Sequence, residues 1–582
     1  MYIIGIKQAG FNTSAAILKD GELTFAVCEE RLTRQKKTKN FPLAAVKACL
    51  AHEGIGLADV DLVAVGWNPT VHLDRLQGPQ VGAARYLPEF FYSVPAHFAS
   101  LIPDQHGEKD FGDVAEMNLP FFAGRNLPFR FIDHHKSHVA SVFYMSPFDE
   151  AAVLVLDAFG EKSCTSLYRA AGARIDLVDR VLFPHSLGVF YQEFTDFMGF
   201  RPNSDEWKLM GAAPYGDPDR YYEKVRSLVR SFPADSDKLY EIDLSYNSHY
   251  LFMKPRIFNP KFVELFGEPL RGVEDFAERG YDLAAAVQKV TEEVVFDILV
   301  KLHRRTGLKN LCLSGGLAMN CVMNGKALAN SPFDNLFVNY ASDDTGCSIG
   351  AALYAHHVLG GHAGRVPGNA REYRGPVYTD ADISEALERF RIPFTRVADP
   401  VRAAVDEIEK GRIIAWFQGR SEYGERALGN RSIVADPRRE DMKDRINLAV
   451  KYREAYRPFA PAILEERLLE WFEDGAMPTP YMEKVYSFRP EVRHKVPAVV
   501  HVDGSGRLQT VNAADNPRWH GLISEFERRT GVPILLNTSL NIKGEPMVES
   551  PADALNTFFK SGLEVLFMHD FVVDKAALGG RA

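Results

Sequence analysis

Residues 152–180 read AVLVLDAFGEKSCTSLYRAAGARIDLVDR. An apolar run ends on Asp157, a polar loop carries Gly160 and Glu161, and two β-rich runs, TSLYRA and IDLVD, flank the turn AGAR. The layout has a precedent in the chain. Residues 2–28 run YIIGI, KQAGFNT, SAAIL, KDGE, LTFAV, and Asp20-Gly21 is a strong hairpin signal. A strand–loop–strand–turn–strand unit used twice predicts two related α/β halves facing one another across a cleft, each offering one hairpin loop to it. The alternative is a structural unit that was duplicated without any cleft.

Immediately upstream lies IDHHKSHVASVFYM, residues 132–145. His134 and His138 are four apart and share one face of a helix. Asp157 closes the strand that follows, where α/β sheets place ligand groups. Two imidazoles and a carboxylate at one strand mouth suit a divalent transition metal. The same residues also read as a helix cap, a core histidine and a turn cap. HHKSH lacks the glutamate that HExxH gives a zinc protease as its base.

Downstream, Leu187–Met198 has amphipathic helical spacing, and Asp205, Glu206 and Lys208 precede Met210-Gly211-Ala212-Ala213. Lys208 is either a solvated ion pair or a phosphate contact. After a long helical pattern over 281–306, LCLSGGLAMNCVMN (311–324) predicts a buried strand running into Gly315-Gly316, with a helix starting there. The free N–H groups of such a start suit a phosphate or ribose, and Asn320 and Asn324 share a face. In ASDDTGCSIGAAL (341–353), Asp344 reads as a fourth ligand or as a helix cap. Residues 69–128, rich in Pro, Phe and Tyr, read as an insertion of helices and loops, with an acceptor pocket one use for it.

The Gly/Pro-rich stretch 360–379 is the clearest linker, giving domains at 1–365 and 375–582. Beyond it, GRSEYGERALGNRSIVADPR (419–438) interleaves Arg420, Arg426 and Arg431 with glycine. KYREAYRPFAP supplies Lys451, Arg453 and Arg457; VDGSGRLQT supplies Arg507; PILLNTSLNIKGEP supplies Asn537, Ser539 and Asn541. Guanidinium forks bind phosphate bidentately, while Asn and Ser can fix a planar amide. A set of cations at Gly-rich turns, in a chain of net charge −9, predicts an anion site.

The 582 residues are 46% apolar and 25% charged, an ordinary globular composition. No basic stripe points to nucleic acid. The six cysteines form no CxxC pair, which predicts reduced thiols in a cytoplasm. MYIIGIK enters a strand without a basic leader, and no apolar run approaches a membrane span.

Taken together, SAAILKDGELTFAVCEERLTR, HHKSHVASVF, HSLGVFYQEFTDFMGF, DEWKLMGAAPYG, LSGGLAMN, GERALGNRSIVADPR, YRPFAP, HVDGSGRLQTV and LLNTSLNIKGEP resemble the NodU/CmcH O-carbamoyltransferases of nodulation-factor and antibiotic biosynthesis. The resemblance implies an actin-like N-terminal domain and a YrdC-like C-terminal α/β domain. It implies an iron-type ion (Fe2+) on His134, His138, Asp157 and Asp344. It implies ATP with Mg2+, the nucleotide held by Gly315, Gly316, Asn320, Glu206 and Lys208. Carbamoyl phosphate falls to Arg426, Arg431, Lys451, Arg457, Arg507 and Ser539, to which chemistry adds Asn537 and Asn541. The implied reaction forms carbamoyl-adenylate and then transfers the carbamoyl group to a small-molecule hydroxyl, in natural product biosynthesis. Asn12, Lys208 and Arg507 are the expected catalytic residues. No nucleic acid or membrane partner is expected, and a homodimer is one assembly open to the chain.

The resemblance breaks in the first loop. Family members read HDxS, whereas this chain reads Gly10-Phe11-Asn12-Thr13-Ser14. Neither Phe nor Asn is a base near neutral pH. Another group then activates the acceptor, or the acceptor is an amine, or the scaffold runs an altered ATP-dependent acyl transfer. A non-catalytic nucleotide-binding role is a further alternative, opposed by the C-terminal cations. A role in tRNA modification is disfavoured by the charge, and one in hydrogenase maturation by the lack of CxxC modules.

Overall fold

The computed structural model describes residues 1–8, 10–68, 114–121, 125–251, 256–454, 456–473 and 475–578. Its contacts divide the chain into two units, 1–29 with 37–370, and 30–36 with 371–582.

The first unit opens with β1 (Tyr2–Lys7), β2 (Ser14–Lys19) and β3 (Glu22–Cys28), an antiparallel meander. Asp20 and Gly21 make its turn with φ of 51° and 88°, the geometry of a two-residue hairpin loop. After α1 (Leu43–Glu53), β4 (Leu62–Val65) returns parallel to β1. Next come β5 (Val114–Phe121) and β6 (Arg125–Ile132), giving a sheet of order β3-β2-β1-β4-β6-β5. These two strands correct the reading of helices and loops within 69–128. Residues 69–113, with any acceptor pocket there, lie outside the described residues.

Helix α2 (His134–Met145) then leads into β7 (Glu150–Leu156), β8 (Ser163–Ala171) and β9 (Arg174–Leu182), again antiparallel. Helices α3 (Leu187–Phe197) and α4 (Glu206–Ala212) follow, then the 30-residue α5 (Ala277–Thr306). Its buried Leu283, Val287, Val290, Val294, Ile298 and Leu302 mark one helical face. β10 (Asn310–Ser314) runs parallel to β7, and after α6 (Cys321–Lys326), β11 (Asn335–Val338) runs parallel to β10. The second sheet therefore has the order β11-β10-β7-β8-β9. Set against the first sheet, β9-β8-β7-β10 matches β3-β2-β1-β4 in order and direction. The duplication seen in the sequence is one of topology, and each half repeats the same strand order.

Helix α7 (Gly346–Tyr354) packs against both α2 and β1. Its approach needs bare backbone. A Cβ on Gly350 would stand 1.8 Å from the Ser137 carbonyl oxygen, and one on Gly5 would stand 1.8 Å from that of Ser348.

The second unit contains α8 (Asp380–Arg389), β12 (Thr395–Arg396), α9 (Pro400–Glu409), β13 (Ile414–Phe417), β14 (Arg431–Ala435) and β15 (Ala460–Leu464). It continues with β16 (Gln509–Val511), α10 (Pro517–Thr530), β17 (Ile534–Ser539), α11 (Pro551–Lys560), β18 (Val565–Met568) and β19 (Phe571–Asp574). These strands form a mixed eight-stranded sheet, β12-β19-β18-β13-β14-β17-β15-β16, around a core with Trp416, Phe417, Trp519 and Phe567. The second unit is thus an α/β domain built on one mixed sheet. Residues 30–36 are part of this unit: Arg31 donates to the carbonyls of Glu422 and Gly424, and Arg34 to those of Pro546 and Met547.

Candidate functional site

Asp133 caps α2, accepting from the Lys136 N–H at 2.9 Å, so the helix begins at His134 and aims that residue and His138 the same way. The two rings lie 4.7 Å apart, edge to face. Both are fully buried. His134 Nδ1 donates to the Gly66 carbonyl at 3.1 Å, which leaves Nε2 as the bare nitrogen. The Ser314 hydroxyl donates to the Ser342 carbonyl, so it accepts from His138 Nδ1 at 3.0 Å, and His138 Nε2 is bare as well. That atom is buried without a hydrogen-bond partner.

Two carboxylates face the bare nitrogens. Asp157 Oδ2 lies 3.1 Å from His134 Nε2 and 3.7 Å from His138 Nε2. Asp344 Oδ1 lies 3.5 and 3.8 Å from the same atoms. The other oxygen of each acid is tied to protein: Asp157 Oδ1 accepts from the N–H groups of Ala158 and Gly316, and Asp344 Oδ2 pairs with Lys7 at 2.8 Å. All four ligand atoms lie within 4.8 Å of one another. Lone pairs brought so close repel unless a proton or cation sits between them. Burial disfavours charge on the two imidazoles, but Cys347 and the carboxylates outweigh it and hold both well above the usual histidine range. Asp157 is likewise held down by the imidazoles despite burial, and Asp344 by Lys7 and His134. The donor set, two nitrogens and two oxygens with three of the four residues buried, fits a divalent transition ion.

Glu161 braces the entrance to α2. It accepts from the N–H groups of His134 (3.1 Å) and Asn68 (2.5 Å), and burial with Asp133 nearby pushes it up to about 8. His135 bonds Ser166 through Nδ1 at 2.8 Å, and burial pushes it down to about 3. The sequence marks Glu161 only as the acid of the second loop and gives His135 no role, although both belong to the two stretches that hold the ligands. Lys7 carries no signal in the sequence, because only the pairing of β1 into the sheet brings it to Asp344.

Gly315 and Gly316 abut the centre. A Cβ on Gly315 (φ 95°) would meet the Leu156 carbonyl oxygen at 2.2 Å, so the bare backbone lets β10 close on Asp157. The helix expected at Gly316 starts instead at Cys321, after a 3-10 turn, with Asn320 as its N-cap. Asn320 is also locked in a reciprocal amide pair with Gln288. Asn324 donates to the Ala318 carbonyl. Lys208 pairs with Asp205 at 3.1 Å, and Glu206 accepts from the Asn203 N–H. Asn12 is buried in a turn at φ 59°.

In the second unit, Lys451 Nζ donates to Ser539 Oγ (3.2 Å) and Asn541 Oδ1 (2.8 Å), bringing three expected residues together. Burial, with Arg453, Arg457 and Lys36 as neighbours, drives Lys451 well below its usual range. Burial, with Arg457 and Arg507 beside it, does the same to Arg453. Basic groups crowded this way disfavour one another's charge, a conflict that an anion among them would relieve. Asn537 donates to the Ala427 carbonyl and to Gln509, and Arg426 is half-buried nearby in sequence. Arg431 is turned inward. It donates to the carbonyls of Gln418, Asn430 and Glu549 and stacks 3.7 Å over Phe417.

No helix among the described residues is long and apolar enough to cross a membrane. The carbamoyltransferase N-terminus family matches residues 2–353, and the carbamoyltransferase C-terminus family matches 405–575. The chain is 37% identical to an uncharacterised protein of Synechocystis over 99% of its own length and 97% of that protein. It is 36% identical to nodulation protein NolNO of Sinorhizobium fredii (97% and 78%) and 29% identical to nodulation protein U of Rhizobium tropici (100% and 98%). With both halves of the family pattern present, this chain belongs to the carbamoyltransferase family.

Proposed function

We propose that this carbamoyltransferase makes carbamoyl-adenylate from carbamoyl phosphate and ATP in its second unit, and that the carbamoyl group then passes to the hydroxyl of a small-molecule acceptor at the His/Asp centre of the first. Atoms balance if carbamoyl phosphate loses orthophosphate to water and the carbamate oxygen attacks the α-phosphorus of ATP, releasing pyrophosphate. The acceptor oxygen then attacks the carbamoyl carbon, its proton is lost, and AMP departs.

The observation that carries the reading is the convergence of bare nitrogens and carboxylate oxygens from His134, His138, Asp157 and Asp344. Those four would hold the metal, which supplies Lewis-acid stabilisation of phosphate charge as AMP leaves. Lys7, itself buried, fixes Asp344 and adds positive charge beside the first loop. Lys451, Arg453, Arg457 and Arg507 neutralise the phosphates, Ser539, Asn541 and Asn537 orient the carbamoyl amide, and Arg431 braces the loops around them. Burial shields the mixed anhydride from hydrolysis.

The test is pyrophosphate release from ATP with and without carbamoyl phosphate. Release that depends on carbamoyl phosphate is expected, and ATP turnover indifferent to it overturns the reading. An amine acceptor is the second reading, favoured by Phe11 and Asn12 where a histidine base is usual. Mass spectrometry of products from paired alcohols and amines separates the two.

A further inference from the structure

The histidine pair belongs to two donor sets. One is completed by Asp157 and Asp344. The other is completed by Cys347, whose sulfur lies with the His134 and His138 ligand atoms, all within 4.8 Å of one another. Cys347 is the second residue of α7 and is fully buried. Its place is set by close packing: a Cβ on Gly66 would stand 2.8 Å from the Cys347 carbonyl oxygen, and Gly66 is the residue whose carbonyl orients His134. The thiol's contact with the His134 carbonyl is long, 3.9 Å, so it pins the sulfur weakly. His138 Nε2, buried and without a hydrogen-bond partner, is the nitrogen left over for an ion on that side. Cys321, by comparison, packs its sulfur 3.7 Å from Met210.

We propose that Cys347 is a thiolate ligand drawn in by borderline-soft divalent ions and ignored by hard ones, so that the centre sorts metals by donor choice. Thiolate suits zinc, cobalt and cadmium, while carboxylate oxygen suits magnesium and manganese. On binding a soft ion the S–H bond breaks, its proton passes to buffer, and a sulfur–metal bond forms. The inference rests on the metal reading of the centre.

The test is cobalt loading of the full-length apo-protein. Wild type should show sulfur-to-cobalt charge-transfer absorption in the near ultraviolet. C347S and C347A should lose that band while keeping the visible cobalt bands of the remaining ligands. The same variants should bind cadmium at least about tenfold more weakly and leave manganese affinity unchanged. A native thermal transition in C347S separates ligand loss from misfolding. Cobalt bound by wild type without the sulfur band, or a band that survives in C347A, overturns the role of Cys347 alone. Failure to bind cobalt at all overturns the centre itself.

Discussion

Lys7 contacts Asp344, one of the four residues proposed to hold the metal, and its effect there should be measurable. Its ammonium holds the outer oxygen of Asp344 while the inner oxygen faces both imidazoles. Replacing Lys7 with Met should free that carboxylate to rotate and weaken metal affinity about 10- to 100-fold, with Lys7→Arg recovering part of it; competition titration against a chelator measures both. The imidazoles add a pH dependence. Without metal they hold protons well above the usual range. Binding must expel those protons, so affinity should rise with pH until both rings are neutral. Glu161 acts on stability with a definite sign. Its folded value near 8 exceeds the ordinary 4.5, so the native state binds the extra proton between them. Stability should therefore fall as pH rises through that window, and Glu161→Gln should flatten the slope in denaturant titrations at a series of pH values.

At the scale of elements, the joint between α2 and α7 sets the ligand geometry. Gly350 meets Ser137 backbone to backbone, one residue before His138. Gly350→Leu should cost about 1–3 kcal/mol or more and lower the metal content of the purified protein, read by thermal denaturation and metal analysis. This joint also explains what the sequence could and could not convey. HHKSH shows its shared face because helical spacing is covalent, and the repeated meander shows because alternation and turn residues are local. Asp344 is ambiguous in sequence because the residues it meets, Lys7, His134 and His138, are all far from it along the chain. Lys7 and Cys347 give no signal: one is placed by strand pairing, the other by a helix start packed on glycines. Arg431 reads as a phosphate fork among glycines, yet the Gln418, Asn430 and Glu549 carbonyls take its Nε and Nη1.

At the scale of the whole molecule, the two units divide the proposed chemistry, and the division predicts separable defects. His138→Ala should leave carbamoyl phosphate-dependent pyrophosphate release within about twofold of wild type while abolishing carbamoyl transfer, since its contacts lie wholly in the first unit. Arg507→Ala should abolish both. Equal losses in both assays for both variants contradict a two-site scheme. The division does not follow chain order, because residues 30–36 belong with the sheet assembled from 371 onward. Arg31 sits buried there 3.8 Å from Glu549. On the ribosome, this short run emerges long before the strands that receive it. A gene split at the glycine-rich connector would strand it on the wrong polypeptide. Selection therefore has a reason, independent of catalysis, to keep both halves encoded as one continuous product.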